Sequence, residues 1–305
     1  MKTNEIYIRD PFVFPFEGTY YLYGTRGKTS WGKATGFDVY TSTNLENWEG
    51  SFEIFHNDGS FWADEHYWAP EVHFYQGAFY LFASFSKKGY WRGTQILKSD
   101  SPKGPFLPHS DRPLTPQDQW CIDGTFYVSK VGTPYMVYQR EVCEIRRGET
   151  EIIDDEMCAV QLSKDLKNTE CKPFSLFAGS DCPKWMRLTS ANFDVTAVFP
   201  DKKRLLIEAP FLYRASNGKL LMTWSGLGPE GYMVAVSYSD NGELDGKWIH
   251  NRELFFQNNG GHGMTFRGFD GTLYFTLHHP NNPFCKERPQ FLRIRETETS
   301  LVREN

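Results

Sequence analysis

The sequence predicts an all-β protein, a five-bladed β-propeller whose four-stranded antiparallel blades surround a central channel. Aromatic residues make up 16% of the 305 residues, and 26 glycines and 17 prolines are spread along the chain. That mixture is typical of short strands closed by turns. Five segments of similar form also recur, and helical periodicity is almost absent. We expect one domain over residues 1–305, with no accessory β-sandwich.

Each recurring segment combines an extended stretch, a glycine-containing turn and a second aromatic strand, and so predicts a hairpin. The five are RDPFVFPFEGTYYLYGT from Arg9, YWAPEVHFYQGAFYLFASFS from Tyr67, CIDGTFYVSKVGTPYMVYQ from Cys121, IEAPFLYRASNGKLLMTWSG from Ile207 and GGHGMTFRGFDGTLYFTLHHP from Gly260. After four of them comes a run such as VYTSTNLENWEG, where Ser or Thr opens a turn before an aromatic residue. These runs predict third and fourth strands, and four short strands at this period predict propeller blades.

One register position of the five hairpins carries chemically informative side chains. It is filled by Asp10, Trp68, Asp123, Glu208 and His262, at intervals of 58, 55, 85 and 54 residues. The first strand of a propeller blade lines the channel, so we expect these side chains to converge at one mouth of it. The long third interval predicts an insertion of roughly 30 residues in blade three, from segments 140–155 and 179–199.

A carboxylate at the start of a strand often serves only as a turn former. Three carboxylates at equivalent positions of a ring would repel one another, which a structural ring could avoid with Asn or Ser. We therefore expect a functional role for Asp10, Asp123 and Glu208. Trp68 offers an indole face for a sugar ring. His262 is expected either to close the channel through water or to hold a metal ion there, such as a structural calcium.

The charge balance excludes some partners. The chain has 33 Lys and Arg against 38 Asp and Glu, a net charge of −5, with the basic residues scattered. Nucleic-acid binding needs concentrated basic surface, so we expect a neutral ligand. The N-terminal sequence has no apolar run of the kind a secretory signal needs, and no stretch resembles a membrane span. We expect a cytoplasmic protein with reduced thiols. Cys143 and Cys158 are the pair best placed for a disulfide.

At these residues the sequence resembles glycoside hydrolase family 43, five-bladed propeller enzymes that act on arabinose- and xylose-containing plant polysaccharides. The motifs that carry the resemblance are Arg9-Asp10-Pro11, Trp68-Ala69-Pro70-Glu71, Ile122-Asp123-Gly124, Glu208-Ala209-Pro210 and Gly261-His262-Gly263. The resemblance implies that Asp10 is the general base, Glu208 the general acid and Asp123 the carboxylate that tunes the acid. It also implies sugar contacts for Trp68 and Arg288. We expect Arg9, beside the base, to contribute to substrate binding.

Hydrolysis with inversion explains these residue types. It needs an ionised carboxylate to activate water and a protonated carboxyl to donate to the leaving oxygen, about 6.5 to 9.5 Å apart. An ionised Asp123 in a partly desolvated pocket would raise the pKa of Glu208 for the acid role. Asp10 must stay ionised, and either Arg9 or backbone amides of its turn could achieve this.

Other classes of protein fit less well. A sialidase should carry Ser-x-Asp-x-Gly-x-x-Trp boxes, and a phosphorylase should carry a cationic cluster near the base, and the sequence has neither. A non-catalytic sugar-binding propeller is the main alternative, although it would be expected to have lost one of the carboxylates. We expect a small oligosaccharide substrate and no required cofactor. An insertion that walls the funnel favours an exo-acting α-L-arabinofuranosidase or β-xylosidase, with endo-arabinanase as the alternative.

Overall fold

The protein is described from a computed structural model that covers residues 1–89, 91–141, 145–146, 152–186, 189–190 and 203–304. It contains five four-stranded antiparallel blades in chain order around a ring, as the sequence predicts. The described residues form β-strands and three short 3₁₀ turns, with no α-helix. None of their helical segments is long and apolar enough to cross a membrane.

Each blade is a meander in which successive strands pair antiparallel. Blade one contains β1 (Ile8–Phe16), β2 (Thr19–Arg26), β3 (Gly36–Ser42) and β4 (Glu49–His56), and blade two contains β5 (Glu65–Tyr75), β6 (Ala78–Ser86), β7 (Gly93–Ser99) and β8 (Leu107–Pro108). Blade three contains β9 (Trp120–Val128), β10 (Pro134–Glu141), β13 (Glu156–Gln161) and β14 (Phe174–Ala178). Blade four contains β17 (Ile207–Arg214), β18 (Leu220–Gly228), β19 (Gly231–Ser239) and β20 (Trp248–His250), and blade five contains β21 (Gly261–Arg267), β22 (Leu273–His279), β23 (Arg288–Glu296) and β24 (Leu301–Arg303).

The insertion predicted in blade three over 140–155 and 179–199 forms a small sheet of its own, which extends beyond those bounds to residue 205. Its strands are β11 (Ile145–Arg146), β12 (Ile152–Asp154), β15 (Thr189–Ser190) and β16 (Lys203–Leu205). β12 and β16 pair in parallel, in contrast to the antiparallel pairing within the blades. Much of the rest of the insertion, and Cys143 of the predicted cysteine pair, lie outside the described residues.

The hydrophobic core lies between neighbouring blades. Phe82 of blade two and Tyr138 of blade three share one cluster of buried side chains. Trp224 of blade four shares the next cluster with Met157 of blade three. β6 is covered on both faces, and all nine of its residues are buried, seven of them apolar or aromatic. This packing explains the high aromatic content, because large flat side chains fill the wedge between twisted sheets.

The ring closes through side chains that join blade one to blade five. Arg9 forms an ion pair with Glu287 at 2.7 Å and donates to Oδ1 of Asn281 at 2.8 Å. Arg288 Nε donates to the carbonyl of Asn4 at 3.0 Å. All four strands of blade five come from the C-terminal part of the chain, and none comes from the N-terminal part. Side-chain contacts therefore join blade five to blade one.

Candidate active site

A β-bulge shapes the inner strand of every blade. In blade one, Arg9 and Phe12 of β1 face Thr25 and Tyr23 of β2, so the inner strand holds one extra residue. The same irregularity occurs in the other four blades. A bulge bends the strand and redirects a side chain, and here it turns residues into the channel mouth.

One residue of each bulge has left-handed backbone geometry. These residues are Asp10 (φ 52°), Ala69 (φ 48°), Asp123 (φ 57°), Ala209 (φ 56°) and His262 (φ 49°). The predicted register was therefore wrong by one residue in two blades, where Trp68 and Glu208 precede the left-handed position. Aligning the segments on Pro11, Pro70 and Pro210 would have given the right register. Left-handed geometry is costly for non-glycine residues, so its fivefold repetition marks the functional end of the propeller.

The amides of the left-handed residues are tied to neighbouring blades. Three of these amides donate to a hydroxyl oxygen on the second strand of the preceding blade, each at 2.8 Å. The pairs are Ala69 to Thr25, Asp123 to Ser84 and His262 to Ser225. The amide of Asp10 donates instead to Nδ1 of His278 at 3.2 Å. The amide of Ala209 donates to Oδ2 of Asp123 at 3.2 Å. Each bulge is thus held by the blade before it.

Six of the seven predicted site residues line one pocket at the channel mouth. They are Arg9, Asp10, Trp68, Asp123, Glu208 and His262. Residues up to 253 positions apart in the sequence thus meet at one pocket, as the recurring segments predict. Arg288 does not line this pocket. Its guanidinium lies over the ring of Tyr7 at 5.2 Å and donates to Asn4, so its predicted sugar contact stays a prediction.

Asp10 is buried among groups that favour its ionised form. Its Oδ2 accepts a hydrogen bond from Thr25 at 2.6 Å, and Nδ1 of His262 lies 3.2 Å from its Oδ1. Burial alone would raise the pKa of this carboxyl, but the positive charges of His262 and Arg9 outweigh it and hold the pKa below its usual range. The expectation that Arg9 helps to keep Asp10 ionised agrees with this, and His262 makes the larger contribution.

His278 accepts a hydrogen bond from the backbone amide of Asp10. Burial and the nearby Arg9 lower its pKa to about 3, so the imidazole is neutral. A neutral ring has one nitrogen that accepts, and Nδ1 accepts the amide of Asp10. Its Nε2 lies 3.0 Å from Oδ1 of Asn281.

The two other carboxyls are biased toward their protonated forms. Burial raises the pKa of Asp123 to about 8; His262 opposes this, and the negative charges of Glu208 and Asp10 add to it. Burial also raises the pKa of Glu208, partly opposed by Tyr232, whose hydroxyl donates to Oε1 at 2.5 Å. Asp123 was expected to be simply ionised. Instead these carboxyls titrate as a pair, because both lie in the same desolvated pocket.

His262 lies between the carboxylates. Its Nδ1 is 3.2 Å from Asp10 and 3.9 Å from Asp123. Burial would lower its pKa, but Asp10, Asp123 and Glu208 raise it above the usual value. No group of three or more His, Cys, Asp or Glu side chains within the described ranges is arranged to hold a metal ion. The calcium ion predicted at this residue stays a prediction.

Neighbouring side chains pack against the indole ring of Trp68. The His66 ring stacks on it at 4.7 Å, the Arg92 guanidinium lies 4.9 Å from its centroid, and its Nε1 donates to the carbonyl of Ser30 at 2.5 Å. Its predicted role as a sugar platform stays a prediction. Trp31 also lines the pocket and is 54% exposed. Trp31 therefore offers an accessible aromatic surface at the pocket.

Sequence reasoning missed three polar residues of the site. Arg92 and Glu141 line the pocket, and Tyr232 holds Glu208. None belongs to a recurring motif, and each comes from a second strand, a third strand or a loop. The single available signal is that Glu141 ends β10 and Arg92 precedes β7, at the same end of neighbouring blades.

Comparison with known proteins gives a consistent result. A family model described as glycosyl hydrolases family 43 matches residues 5–299. The endo-arabinase of Bacteroides thetaiotaomicron VPI-5482 is 33% identical, with a TM-score of 0.86 over 98% of both chains. The exo-1,5-α-L-arabinanase from a bovine ruminal metagenomic library is 19% identical, with a TM-score of 0.64 over 98% of this chain and 97% of that one. At that identity the likeness indicates the fold alone.

A curated relative matches part of the chain. The extracellular exo-α-(1→5)-L-arabinofuranosidase ArbA of Cellvibrio japonicus is 27% identical over 151 residues. The matched region covers 44% of this chain and 41% of that protein, so it spans less than half of the relative's length.

Proposed function

The chain belongs to glycosyl hydrolase family 43, and on that premise we propose that it is an inverting glycosidase with Asp10 as general base and Glu208 as general acid. The observation that carries the assignment is the opposite bias of two carboxyls in one pocket. The pKa of Asp10 is held down and that of Glu208 is raised. Carboxyls driven apart in this way divide naturally into base and acid.

The reaction follows from these states. Ionised Asp10 takes a proton from a water molecule as that water attacks the anomeric carbon. Protonated Glu208 gives its proton to the glycosidic oxygen as the bond to that carbon breaks. One displacement on the face opposite the leaving group inverts the anomeric configuration. The cycle ends with Asp10 protonated and Glu208 ionised, and exchange with solvent restores both.

Asp123 acts through its neighbours in this proposal. Its Oδ2 accepts the amide of Ala209, the residue after Glu208. That contact places the Asp123 carboxyl beside the acid. Once one of the two carboxyls is ionised, its negative charge opposes loss of the proton that the pair still holds. Asp123 is a positioning and tuning residue, and it transfers no proton to the substrate.

We propose arabinose- or xylose-containing oligosaccharides as substrates. Arabinose is favoured because the 33% identical endo-arabinase and the 27% identical arabinofuranosidase are both named for this sugar. The insertion in blade three supports exo-action, since a wall on one side of the pocket would limit the chain that can pass. The 33% identical endo-arabinase supports endo-action as a second candidate. A sugar-binding propeller without activity is less well supported, because all three carboxylates line the pocket.

The test is a panel of aryl α-L-arabinofuranosides and β-xylosides with arabino- and xylo-oligosaccharides. Proton NMR should detect the inverted anomer first, and product lengths distinguish exo-action from endo-action. Glu208→Gln should lose about 100- to 10,000-fold on substrates with poor leaving groups and much less on activated aryl glycosides, which need little protonation. Asp10→Asn should lose activity on every substrate. The exposed Glu230→Gln serves as control, and a retained anomer or equal losses across leaving groups would contradict the assignment.

A further inference from the structure

A guanidinium and a carboxylate on the blade-two and blade-three side of the pocket have no part in the proton transfers. Arg92 and Glu141 both line the pocket, and Nη1 of Arg92 lies 3.2 Å from Oε2 of Glu141. Their side chains are 8% and 2% exposed. Ionised groups buried this deeply are kept only when they are paired. The pair is therefore a fixed part of the pocket wall.

Two tryptophan rings pack near the guanidinium of Arg92. Its guanidinium lies 4.9 Å from the ring centroid of Trp68 and 5.2 Å from that of Trp120. Its backbone carbonyl accepts the amide of Cys121 at 3.1 Å, which ties the loop to blade three. Guanidinium donors point outward in the plane of the group. A group flanked by rings therefore meets a ligand through its edge, as a hydrogen-bond donor.

Glu141 is held from the opposite side by the insertion. Its Oε1 accepts from Nη2 of Arg204 at 3.1 Å, and Nε of Arg204 donates to Asp155 at 2.7 Å. Arg204 belongs to β16 of the inserted sheet and is fully buried. The other oxygen of Glu141, Oε2, accepts no hydrogen bond from the described residues. One oxygen is thus anchored, and the other has lone pairs available beside Arg92.

We propose that Arg92 and Glu141 form a hydroxyl-recognition site for the sugar unit at the scissile bond. The ligand class is a neutral sugar with adjacent hydroxyls, because a hydroxyl both donates and accepts and this pair offers one donor and one acceptor. A carboxylated sugar would meet the negative charge of Glu141 and is disfavoured. The inference rests on the proposed glycosidase function. It also makes the blade-three insertion a specificity element, since Arg204 sets the position of Glu141.

The first experiment measures whether Arg92 contacts a sugar hydroxyl. Arg92→Gln is compared with the wild-type protein on the preferred aryl glycoside and on its 2-deoxy and 3-deoxy analogues. We expect kcat/KM to fall about 10- to 100-fold on the parent substrate and to change little on the analogue that lacks the contacted hydroxyl. The exposed Arg267→Gln is the control, because its guanidinium donates to the carbonyl of Gly271 and to the hydroxyl of Tyr213 and does not line the pocket. It should match the wild type on all three substrates. Equal losses on parent and both analogues would overturn the proposal.

The second experiment tests the pairing. Glu141→Gln should lower kcat/KM on the parent substrate, and the double variant with Arg92→Gln should lose little more than either single variant, because the two side chains act as one unit. Fully additive losses would contradict the pairing. Thermal unfolding checks that each variant folds. If Arg92→Gln does not fold, Arg92→Lys keeps the charge and should show the same selective loss.

A binding measurement separates this inference from the proposed function. Calorimetry with free arabinose and free xylose reports on the site without any turnover. If the wild type hydrolyses nothing in the panel but binds one of these sugars, and Arg92→Gln weakens that binding, the proposed activity fails and the recognition site stands. If hydrolysis occurs and Arg92→Gln changes neither binding nor kcat/KM, the recognition site fails alone.

Discussion

At the scale of single side chains, burial and a hydrogen bond shift the pKa of Glu208 in opposite directions. Burial raises the pKa of this carboxyl, and the hydroxyl of Tyr232 lowers it by donating to the ionised form. Tyr232 in turn stacks on His278 at 5.7 Å, with the rings 16° from parallel. Since His278 accepts the amide of Asp10, one stacked pair supports both proposed catalytic carboxyls.

Two substitutions should move the alkaline limb of the pH profile in opposite directions. Asp123→Asn removes a negative charge from the pair, so Glu208 should lose its proton earlier and the limb should shift to lower pH. Tyr232→Phe removes the hydrogen bond that favours ionised Glu208, so the limb should shift to higher pH. The measurement is kcat/KM against pH on one activated substrate, which reports ionisations of the free enzyme.

Asp123→Asn and Tyr232→Phe serve as controls for each other, because the alkaline limb is expected to shift in opposite directions. A general loosening of the site would move both limbs the same way or only lower the rate. If Asp123→Asn leaves the alkaline limb unchanged, Asp123 does no more than hold the amide of Ala209. If Tyr232→Phe leaves it unchanged, the Tyr232 hydroxyl does not influence the acid.

At the scale of the strand, the bulge explains the motif Gly261-His262-Gly263. A Cβ on Gly263 would lie 1.8 Å from the carbonyl oxygen of Thr276, and a Cβ on Gly261 would lie 2.6 Å from the ring of Tyr232. Neither position has room for a side chain, while His262 between them takes the left-handed geometry. The glycines allow the close approach that brings His262 to the carboxylates.

Ser84→Ala should show what the hydrogen bonds between blades contribute. Ser84 accepts the amide of Asp123 at 2.8 Å, and its loss leaves a buried amide without that partner. We expect a loss of about 1 to 3 kcal/mol in the free energy of unfolding, with a lower kcat because the backbone of Asp123 is released. Denaturant unfolding measures the first effect and turnover the second.

Ser86→Ala is the matched control for this change. Ser86 is a buried serine two residues along the same strand, and no hydrogen bond from its hydroxyl occurs in the part of the chain described. Its removal should cost less than Ser84→Ala and leave kcat unchanged. Equal losses for the two variants would show that burial of the serine, and not its acceptor role, matters.

At the scale of the whole molecule, the ring depends on the junction of blades one and five. Arg288→Ala removes the hydrogen bond to Asn4 and the contact with Tyr7. We expect the thermal midpoint to fall by about 2 °C and kcat/KM to stay within about twofold. Arg9→Ala, which removes both a junction contact and a pocket wall, should lower both quantities.

The exposed Arg293→Ala on the same strand β23 controls for loss of a surface charge. A raised KM for Arg288→Ala with an unchanged midpoint would instead support the sugar contact that the family resemblance implies. The two readouts therefore decide between the junction role seen in the structure and the binding role expected from the sequence.

Local patterns determined the fold and the catalytic candidates. Each blade is built from consecutive hairpins, so strand and turn signals recur at a readable period, and the equivalent place in each blade follows from that period. Asp10, Asp123 and His262 occupy the equivalent position of their blades and Glu208 lies one residue before it, so the ring brings all four together whatever their separation in sequence.

Tertiary structure alone decided the exact register, the polar neighbours and the ionisation of the site. The one-residue difference at Trp68 and Glu208 arises from bulges, which depend on pairing with a second strand. Tyr232, Arg92 and Glu141 lie outside the recurring motifs and reach the pocket only through the packing of blades. The shared titration of Asp123 and Glu208 depends on desolvation and on charges from other blades, and a linear sequence does not record how deeply a side chain is buried or which charges surround it.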